Sequence, residues 1–177
     1  MLKITEKILF HQIKNGDEQA FTVFYNTYKD KIYRFIYFKV SSKEKAQDLL
    51  GDTFIKIYDY IREGNDIDNF QAFLYKTARN LVIDFYRAKK EDISLDDAPE
   101  ITSSVDMEKQ VGDKIAVENI KKYLSCIKSE YREAVHLHFF ENFSFSEIAT
   151  IIDQSEGNVR VRVYRGIKQL KEALKEK

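Results

Sequence analysis

Helix-breaking residues are scarce in this chain of 177 residues. It contains six glycines and one proline, Pro99, and its apolar residues recur every three or four positions over long stretches. Glycine and proline destabilise helix interiors, and apolar residues at that spacing line one face of a helix. The sequence therefore predicts an all-α protein, organised as two small helical domains.

Four helices are predicted before residue 90, and polar caps mark three of their starts. Asp17 is expected to cap the second helix, which is long and rich in aromatic residues. Gly16 and Gly64 are expected to follow the ends of the first and third helices. Capping boxes are predicted to open the third and fourth helices: Ser41 with Glu44, and Asp68 with Gln71.

Residues 91–113 differ from the rest of the chain in charge. They hold eight acidic residues against one basic residue, a net charge of −7, and they lack helical periodicity. This composition predicts a flexible acidic linker between a domain at 1–90 and a domain at 114–177. A solvated spacer without further function is the alternative interpretation of the same composition.

Positive charge is concentrated in two segments, although the whole chain has 29 basic and 29 acidic residues and no net charge. Residues 69–90 contain five bases and one acid, and residues 155–177 contain seven bases and three acids. A nucleic-acid-binding chain without overall positive charge must separate its charges in this way.

Several kinds of chemistry are not expected. The single cysteine, Cys126, excludes an internal disulfide and is expected to be a small buried hydrophobe. His136 and His138 are two positions apart, on different faces of a helix, so no metal is expected. No phosphate-binding glycine loop or catalytic triad pattern is present, so we expect no cofactor and no enzymatic activity. Charges interrupt every apolar stretch of the N-terminus, so we expect no signal peptide, no membrane insertion and a cytoplasmic protein.

The last third of the chain carries the sharpest functional pattern (FSFSEIATIIDQSEGNVRVRVYRGIKQLKEALKEK). Ser144 and Glu147 are predicted to open a short helix with a capping box. A turn at 153–155 follows, and Ser155 is expected to cap a longer, basic helix. A short helix, a tight turn and a longer basic helix are typical of a helix-turn-helix that binds the major groove of DNA.

At about 100° per residue, this longer helix separates an apolar stripe from an outward polar face. The stripe is predicted to contain Val159, Val163, Ile167, Leu170 and Leu174. The outward face is predicted to contain Gly157, Arg160, Val161, Tyr164, Arg165 and Lys168. Arginine forks fit the acceptors of guanine, and Arg162 on the flank suits a phosphate. A solvated amphipathic helix is the alternative.

Two N-terminal helices also have distinct outward faces. The fourth helix is predicted to bury Leu74, Ala78, Leu81 and Phe85, with Lys76, Arg79, Asn80, Arg87 and Lys90 opposite them. Its Tyr75 and Tyr86 could stack on unpaired bases or simply pack. The third helix is predicted to bury Leu50, Phe54, Ile57 and Ile61, with Asp48, Asp52, Ile55, Lys56 and Asp59 outward. An exposed isoleucine among acids suits a basic, partly apolar protein partner, although a single surface isoleucine is also ordinary.

The segments KEKAQDLLGDTFIKIYDYI and FQAFLYKTARNLVIDFYR resemble region 2 of sigma-70-type RNA polymerase sigma factors. The C-terminal segment resembles region 4 of the same family, and the short chain without a third domain is similar to the extracytoplasmic-function (ECF) group. The resemblance implies region 2 at 1–90 and region 4 at 114–177. It also implies an alternative sigma factor that binds core RNA polymerase and directs transcription initiation at promoters.

Three contact surfaces follow from this resemblance. The third helix would dock on the clamp coiled coil of the largest polymerase subunit through Asp48, Asp52, Ile55, Lys56 and Asp59. The loop 62–69 and the fourth helix would bind the −10 element through Asn65, Asp66, Asn69, Lys76, Arg79, Asn80 and Arg87. The C-terminal helix would bind the −35 element through Ser155, Gly157, Asn158, Arg160, Val161, Arg162, Tyr164, Arg165 and Lys168.

The resemblance further implies that the acidic linker enters the RNA-exit channel of the polymerase, and it leaves room for an anti-sigma factor as another partner. Two residues depart from the family pattern. Gly51 stands where the family usually has a polar residue, often Gln, and Val161 replaces a small polar residue. These substitutions bear on the strength of polymerase docking and on the −35 sequence.

Two other functions remain as alternatives. A stand-alone helix-turn-helix regulator would share the C-terminal pattern and would bind duplex DNA tightly without polymerase. A metal-dependent nuclease would need a buried cluster of carboxylates, and the acidic residues of this sequence fall instead in the linker or on one solvated helix face.

Overall fold

The computed structural model describes residues 4–91, 124 and 126–175. This part of the chain contains no strand and seven helices: α1 (Ile4–Lys14), α2 (Glu18–Val40), α3 (Lys43–Arg62), α4 (Phe70–Glu91), α5 (Ser129–Phe139), α6 (Phe145–Ile152) and α7 (Glu156–Lys175). The helices form two compact units, α1–α4 and α5–α7. The predicted all-α fold with two helical units is confirmed.

The acidic linker beyond Glu91 and the helix expected from about Lys114 lie outside the described residues. The domain boundaries predicted near residues 90 and 114 therefore stay predictions. Within the described residues, no helix is long and apolar enough to cross a membrane.

A glycine and an aspartate turn the chain from α1 into α2. Gly16 has φ of 90°, in the left-handed region that glycine adopts without steric cost. The Asp17 carboxylate then accepts the backbone N–H groups of Gln19 and Ala20 at 2.9 and 3.0 Å. Asp17 is therefore the N-cap of α2, as predicted.

The cap of α3 lies one residue further along the chain than predicted. Ser41 ends α2 in the left-handed conformation, with φ of 53°, so it cannot also open α3. Ser42 has extended backbone angles, and its hydroxyl accepts the N–H of Lys45 at 3.4 Å. The predicted capping box of Ser41 and Glu44 is wrong, because reversal of the chain after α2 uses Ser41 and leaves the cap to Ser42.

The cap of α4 is displaced in the same way. The side-chain oxygen of Asn69 accepts the N–H of Ala72 at 2.9 Å, and α4 begins at Phe70. Asp68 is exposed and precedes the cap. The predicted box of Asp68 and Gln71 is therefore wrong, because Asn69 is the residue next to the first turn of the helix.

Aromatic rings form much of the core between α2, α3 and α4. Phe24 of α2 lies 5.4 Å from Phe54 of α3 and 4.5 Å from Phe70 of α4, measured between ring centroids. Tilted and edge-to-face arrangements at these distances are favourable for aromatic pairs. Close by, the Tyr28 hydroxyl donates to the Glu6 carboxylate at 2.7 Å, and burial raises the pKa of Tyr28. This core fixes which faces of α3 and α4 point outward.

The buried stripes of α3 and α4 differ from the predicted ones at neighbouring positions. In α3, Leu49 is buried and Leu50 is half-buried, whereas Phe54, Ile57 and Ile61 are buried as predicted. In α4, Leu74 and Ala78 are buried as predicted, but Val82 is buried where Leu81 was expected, and Phe85 is half-buried. Because α3 packs against α1, α2 and α4, and α4 packs against α2 and α3, their buried faces are wider than a single stripe.

The C-terminal unit contains the predicted helix-turn-helix geometry. Ser144 and Glu147 form a capping box at the start of α6, and Asp153 ends that helix with φ of 52°. The Ser155 hydroxyl accepts the N–H of Asn158 at 3.2 Å and caps α7. The capping box at α6 and the cap at Ser155 are confirmed.

The apolar side of α7 packs on α5, and a glycine allows the close approach. A Cβ atom at Gly166 would lie 2.5 Å from Cγ2 of Val135, too close for any side chain without displacement. Val159 and Val163 are buried, and Ile167 and Leu170 pack against the cluster that includes Val135. Leu174 is 52% exposed, so its predicted burial is wrong, because that cluster does not extend over it.

Cys126 is exposed, contrary to the expected burial. It occupies a turn before α5 in which the flanking Leu124 and Ile127 are buried instead. In a turn, adjacent side chains point in different directions, so the helical spacing used for the prediction does not apply there.

Candidate nucleic-acid interface

The outward face of α7 is exposed along the helix, as the helical wheel predicted. Tyr164 is 73% exposed, and its neighbours on that face are exposed as well. The structure brings together Gly157, Arg160, Val161, Tyr164, Arg165 and Lys168 on the side opposite Val159 and Val163. A Cβ at Gly157 would meet no atom within 4 Å, so this end of the helix leaves room for a close ligand.

Two arginines of α7 have partners within the C-terminal unit. The Arg160 guanidinium donates to Glu156 one turn earlier and lies 4.7 Å from the centroid of the Phe145 ring in α6. Arg162 is half-buried, and its Nη1 donates to the backbone carbonyl of Glu130 at 3.4 Å. Arg162 thus lies on the flank of the outward face, where a phosphate contact was predicted.

The first residues of the predicted −35 set also stabilise the helix itself. Ser155 is the N-cap of α7, and the Asn158 side-chain amide donates to the Gln154 side chain at 3.0 Å. Both residues are exposed at the start of the helix. Their contact with DNA stays a prediction, as it does for the other residues of this face.

The basic face of α4 contains both half-buried and exposed side chains. Lys76 and Arg79 are half-buried, whereas Asn80 and Arg87 are exposed. Arg87 pairs with Asp84 at 3.7 Å on the helix surface. The structure therefore places all four predicted residues beside solvent along one helix.

The two tyrosines of α4 have different surroundings. Tyr75 is fully buried, with its ring 5.0 Å from the ring of Phe35, so it packs in the core and stacks on no base. Tyr86 is 41% exposed, its hydroxyl donates to the carbonyl of Lys39 at 2.7 Å, and burial raises its pKa. Of the two rings, only that of Tyr86 has a surface open to a ligand.

The loop between α3 and α4 is held by its own side chains. Asn65 donates from its amide to the carbonyl of Tyr60 at 3.0 Å, Ile67 is buried, and Asn69 caps α4. Asp66 is exposed and pairs with Lys14 of α1 at 3.2 Å. The three predicted loop residues all lie between α3 and α4, and Asn65 and Asn69 also determine the shape of the loop.

The loop is also flanked by an aromatic pair that sequence reasoning missed. The ring of Tyr60 in α3 lies 4.6 Å from the ring of Phe73 in α4, and both are half-buried. The signal available in the sequence was an aromatic residue near each end of one polar loop.

The outward face of α3 has the predicted composition. Asp48, Asp52, Ile55, Lys56 and Asp59 are all exposed, and Ile55 is 61% exposed. Beside them an apolar groove of about 500 Å³ runs between α2 and α3, lined in part by Phe21, Phe54, Ile55 and Tyr58. Gly51 also lines the groove, and a Cβ there would meet no atom within 4 Å. The sequence predicted the acidic face but not the groove.

The described residues contain no group of three or more His, Cys, Asp or Glu side chains that could hold a metal ion. His136 is buried and lies 3.4 Å from the Glu141 carboxylate, and the ring of His138 stacks on Phe145 at 4.5 Å. Both histidines therefore have neighbours within their own unit.

Comparison with known proteins finds a family match for each half of the chain. The model of Sigma-70 region 2 matches residues 24–91, and the model of Sigma-70 region 4 matches residues 118–170. The ECF sigma factor SigW of Bacillus subtilis is 31% identical over 176 residues, which cover 93% of this chain and 94% of SigW. SigM of the same bacterium is 26% identical over 148 residues, covering 83% of this chain and 90% of SigM.

Solved structures share the fold. CnrH, solved in complex with the cytosolic domain of CnrY, superposes with a TM-score of 0.72 at 18% identity, covering 97% of this chain and 98% of that one. RpoE of Bartonella quintana, solved with the anti-sigma factor NepR, gives a TM-score of 0.66 at 23% identity and covers 89% of this chain and 98% of that one. The two region models and the similarity to SigW over nearly the full length of both proteins show that the chain belongs to the ECF group of sigma-70 factors.

Proposed function

We propose that this chain is an alternative sigma factor that binds core RNA polymerase and directs initiation at promoters through −10 and −35 recognition. The observation that carries the proposal is the exposed outward face of α7, on a helix-turn-helix in the region that matches Sigma-70 region 4. In this proposal residues 1–90 form region 2, residues 91–113 the acidic linker and residues 114–177 region 4. The protein acts in the cytoplasm, where the polymerase is, and has no catalytic role of its own.

The α7 face recognises the −35 element in the major groove. Arg160 and Arg165 present planar forks that can donate two hydrogen bonds to O6 and N7 of a guanine. Tyr164, which is 73% exposed, is placed for a thymine methyl group or the sugar–phosphate backbone. Arg162 and Lys168 contact phosphates, which contribute affinity and do not distinguish bases.

The −10 element is bound by α4 and the loop before it. Asn65 and Asn69 lie in a loop that their side-chain hydrogen bonds help to shape, and the Tyr60 and Phe73 rings of the flanking helices are in contact. Lys76, Arg79, Asn80 and Arg87 then hold the backbone of the opened strand along α4. Single-stranded nucleic acid is bound in this manner, with cations along its backbone and rings beside its bases. Tyr75 has no part in this contact because it is buried.

Polymerase docking uses the outward face of α3. The carboxylates of Asp48, Asp52 and Asp59 surround the exposed Ile55, and the apolar groove continues from that side chain. A partner with complementary features carries basic residues around an apolar contact. The resemblance to the family makes the clamp coiled coil of the largest polymerase subunit that partner. The acidic linker lies in the RNA-exit channel, where its negative charge occupies the path of RNA.

Release from an anti-sigma factor is the form of control that we propose. RpoE of Bartonella quintana was solved with the anti-sigma factor NepR, and CnrH with the cytosolic domain of CnrY. A protein of that kind would compete with polymerase or with DNA for the exposed faces described above.

Run-off transcription with purified core polymerase tests the proposal. Adding this chain to core enzyme should produce discrete transcripts from its own promoters, and neither component alone should do so. A gel shift with duplex promoter DNA and no polymerase should show weak binding. Tight binding of the free chain to a two-fold symmetric site, without transcription by core enzyme, would favour a stand-alone regulator.

A further inference from the structure

A continuous stack of side chains connects the start of the helix-turn-helix to its recognition helix. The guanidinium carbon of Arg160 lies 4.7 Å from the centroid of the Phe145 ring. On the same ring stacks the imidazole of His138, at 4.5 Å and with 26° between the planes. These three residues come from α7, α6 and α5 respectively, so all three helices of the unit contribute to the arrangement.

The two outer members of the stack, His138 and Arg160, are each held by a further contact. The Nδ1 atom of His138 lies 2.9 Å from the carbonyl oxygen of Phe143, and because a carbonyl only accepts, Nδ1 carries the proton and donates. Phe143 is itself buried and donates its N–H to the carbonyl of Leu137 at 3.0 Å. At the other end, the Glu156 carboxylate accepts a hydrogen bond from Arg160.

From these contacts we infer that Phe145 is a positioning residue for −35 recognition. Its ring holds the Arg160 guanidinium in the orientation in which Arg160 reads a base, and His138 holds the ring. The inference rests on the proposed function, in which the outward face of α7 binds the −35 element.

The physical reason is the entropy of a long side chain. A flexible arginine loses rotamer freedom when it binds a base, and that loss lowers both affinity and discrimination. Contact with an aromatic face and a carboxylate orders the guanidinium before DNA arrives. Arginine has five N–H donors, so the hydrogen bond to Glu156 leaves others for guanine O6 and N7.

The test uses the full chain with core polymerase and a promoter library randomised across the −35 element, with transcripts counted by sequencing. Arg160→Ala should reduce the preference at one −35 position by about five- to a hundredfold, which identifies the base that Arg160 reads. Phe145→Leu should reduce the preference at that same position by about two- to fivefold and leave the other positions unchanged.

Matched variants separate positioning from packing. Phe145→Tyr keeps the ring and should retain the wild-type preference. Phe140→Leu removes another partly exposed ring of this unit, which stacks on His136, and should also change nothing. The double variant Phe145→Leu/Arg160→Ala should match Arg160→Ala alone at the position concerned, because Phe145 acts through Arg160.

Two results would overturn the inference: a wild-type profile for Phe145→Leu, or a loss shared equally by all −35 positions. If Arg160→Ala itself changes no position, Arg160 reads no base and the inference fails with it. If Arg165→Ala also changes none, the proposed role of α7 in −35 recognition has failed as well. Nuclear magnetic resonance on the wild-type protein tests the stack without relying on a variant that must fold. The δ protons of Arg160 should lie upfield of those of Arg165 because of the Phe145 ring current, and equal shifts would contradict the stacked arrangement.

Discussion

Gly51 and Gly166 both lie inside helices, but their surroundings are opposite. A Cβ at Gly51 would meet no atom within 4 Å, whereas a Cβ at Gly166 would lie 2.5 Å from Val135 and 3.3 Å from Cβ of Tyr131. Valine has little rotamer freedom, so Val135 cannot turn aside easily. Gly51 therefore only weakens its helix, and Gly166 is required for the contact between α5 and α7.

The same substitution should have opposite effects at these two glycines. Gly51→Ala should raise the free energy of unfolding of the α1–α4 unit by about 0.5–1 kcal/mol, because alanine loses less backbone entropy. Gly166→Ala should lower that of the α5–α7 unit by about 1–3 kcal/mol through overpacking. Urea unfolding monitored by nuclear magnetic resonance measures the free energy of unfolding of each unit separately. A change of the same sign for both variants would contradict the different roles given to the two glycines.

Asn69 has a structural role that can be separated from its proposed role in −10 binding. Asn69→Ala should lower the free energy of unfolding of the α1–α4 unit by about 1 kcal/mol, because it removes the cap of α4. Asn69→Asp keeps an oxygen acceptor and should leave stability within a few tenths of a kcal/mol. Run-off transcription should fall for both variants, and wild-type transcription by Asn69→Asp would show that the residue only caps the helix.

Caps were predicted correctly where a Ser or Asp had no adjacent residue of a cap-forming type (Ser, Thr, Asp or Asn). They were missed by one residue where two such residues are adjacent. Asp17, Ser144 and Ser155 cap their helices as expected. At the pairs 41–42 and 68–69, the choice depends on how the chain turns between helices. That geometry follows from tertiary packing, which a local pattern does not contain.

Among the helices, α3 presents the most distinct surface, with acids around an exposed isoleucine beside an apolar groove. Asp48→Lys/Asp52→Lys should weaken binding to core polymerase by tenfold or more, on the order of the effect of placing like charges at an interface. The control Asp30→Lys makes the same kind of change at an exposed position of α2 and should bind normally. Pull-down with core enzyme measures the difference. Equal binding by the wild type, the double variant and the control would show that polymerase docks on another surface.

The α7 face should determine promoter choice without affecting assembly with polymerase. Arg165→Ala should reduce transcription from the protein's own promoters and change the preferred −35 sequence, by about 1–3 kcal/mol per lost base contact. Lys171→Ala removes an exposed charge further along the same helix and should preserve the preference. Loss of polymerase binding by Arg165→Ala would mean that this face belongs to a different interface.

Helical periodicity predicted outward faces better than it predicted buried ones. Every residue assigned to the outward faces of α3 and α7 is exposed, because a helix that packs by its apolar side leaves the opposite side in solvent. Tyr75, for which the sequence left both base stacking and packing open, is fully buried against Phe35 of α2. The groove beside Ile55 and the stack on Phe145 depend on neighbouring helices, so no single segment of sequence could reveal them.

The molecule as a whole combines two helical units in a chain without net charge. Phosphate attraction is the main sequence-independent source of DNA affinity, and a chain without net charge has only weak overall attraction to phosphates. Promoter binding should therefore depend on polymerase, which brings both basic faces to one DNA and converts two weak contacts into a strong one. This dependence distinguishes the proposed sigma factor from a stand-alone regulator.

Mapping of transcription start sites after overexpression tests this account most directly. New starts should appear, each preceded by a shared −10 element and a shared −35 element. The Arg160→Ala/Arg165→Ala variant, produced at the same level, should lose starts that depend on that −35 element. Absence of new starts, or starts that share only a two-fold symmetric site without a −10 element, would contradict the claim that this chain directs polymerase to promoters.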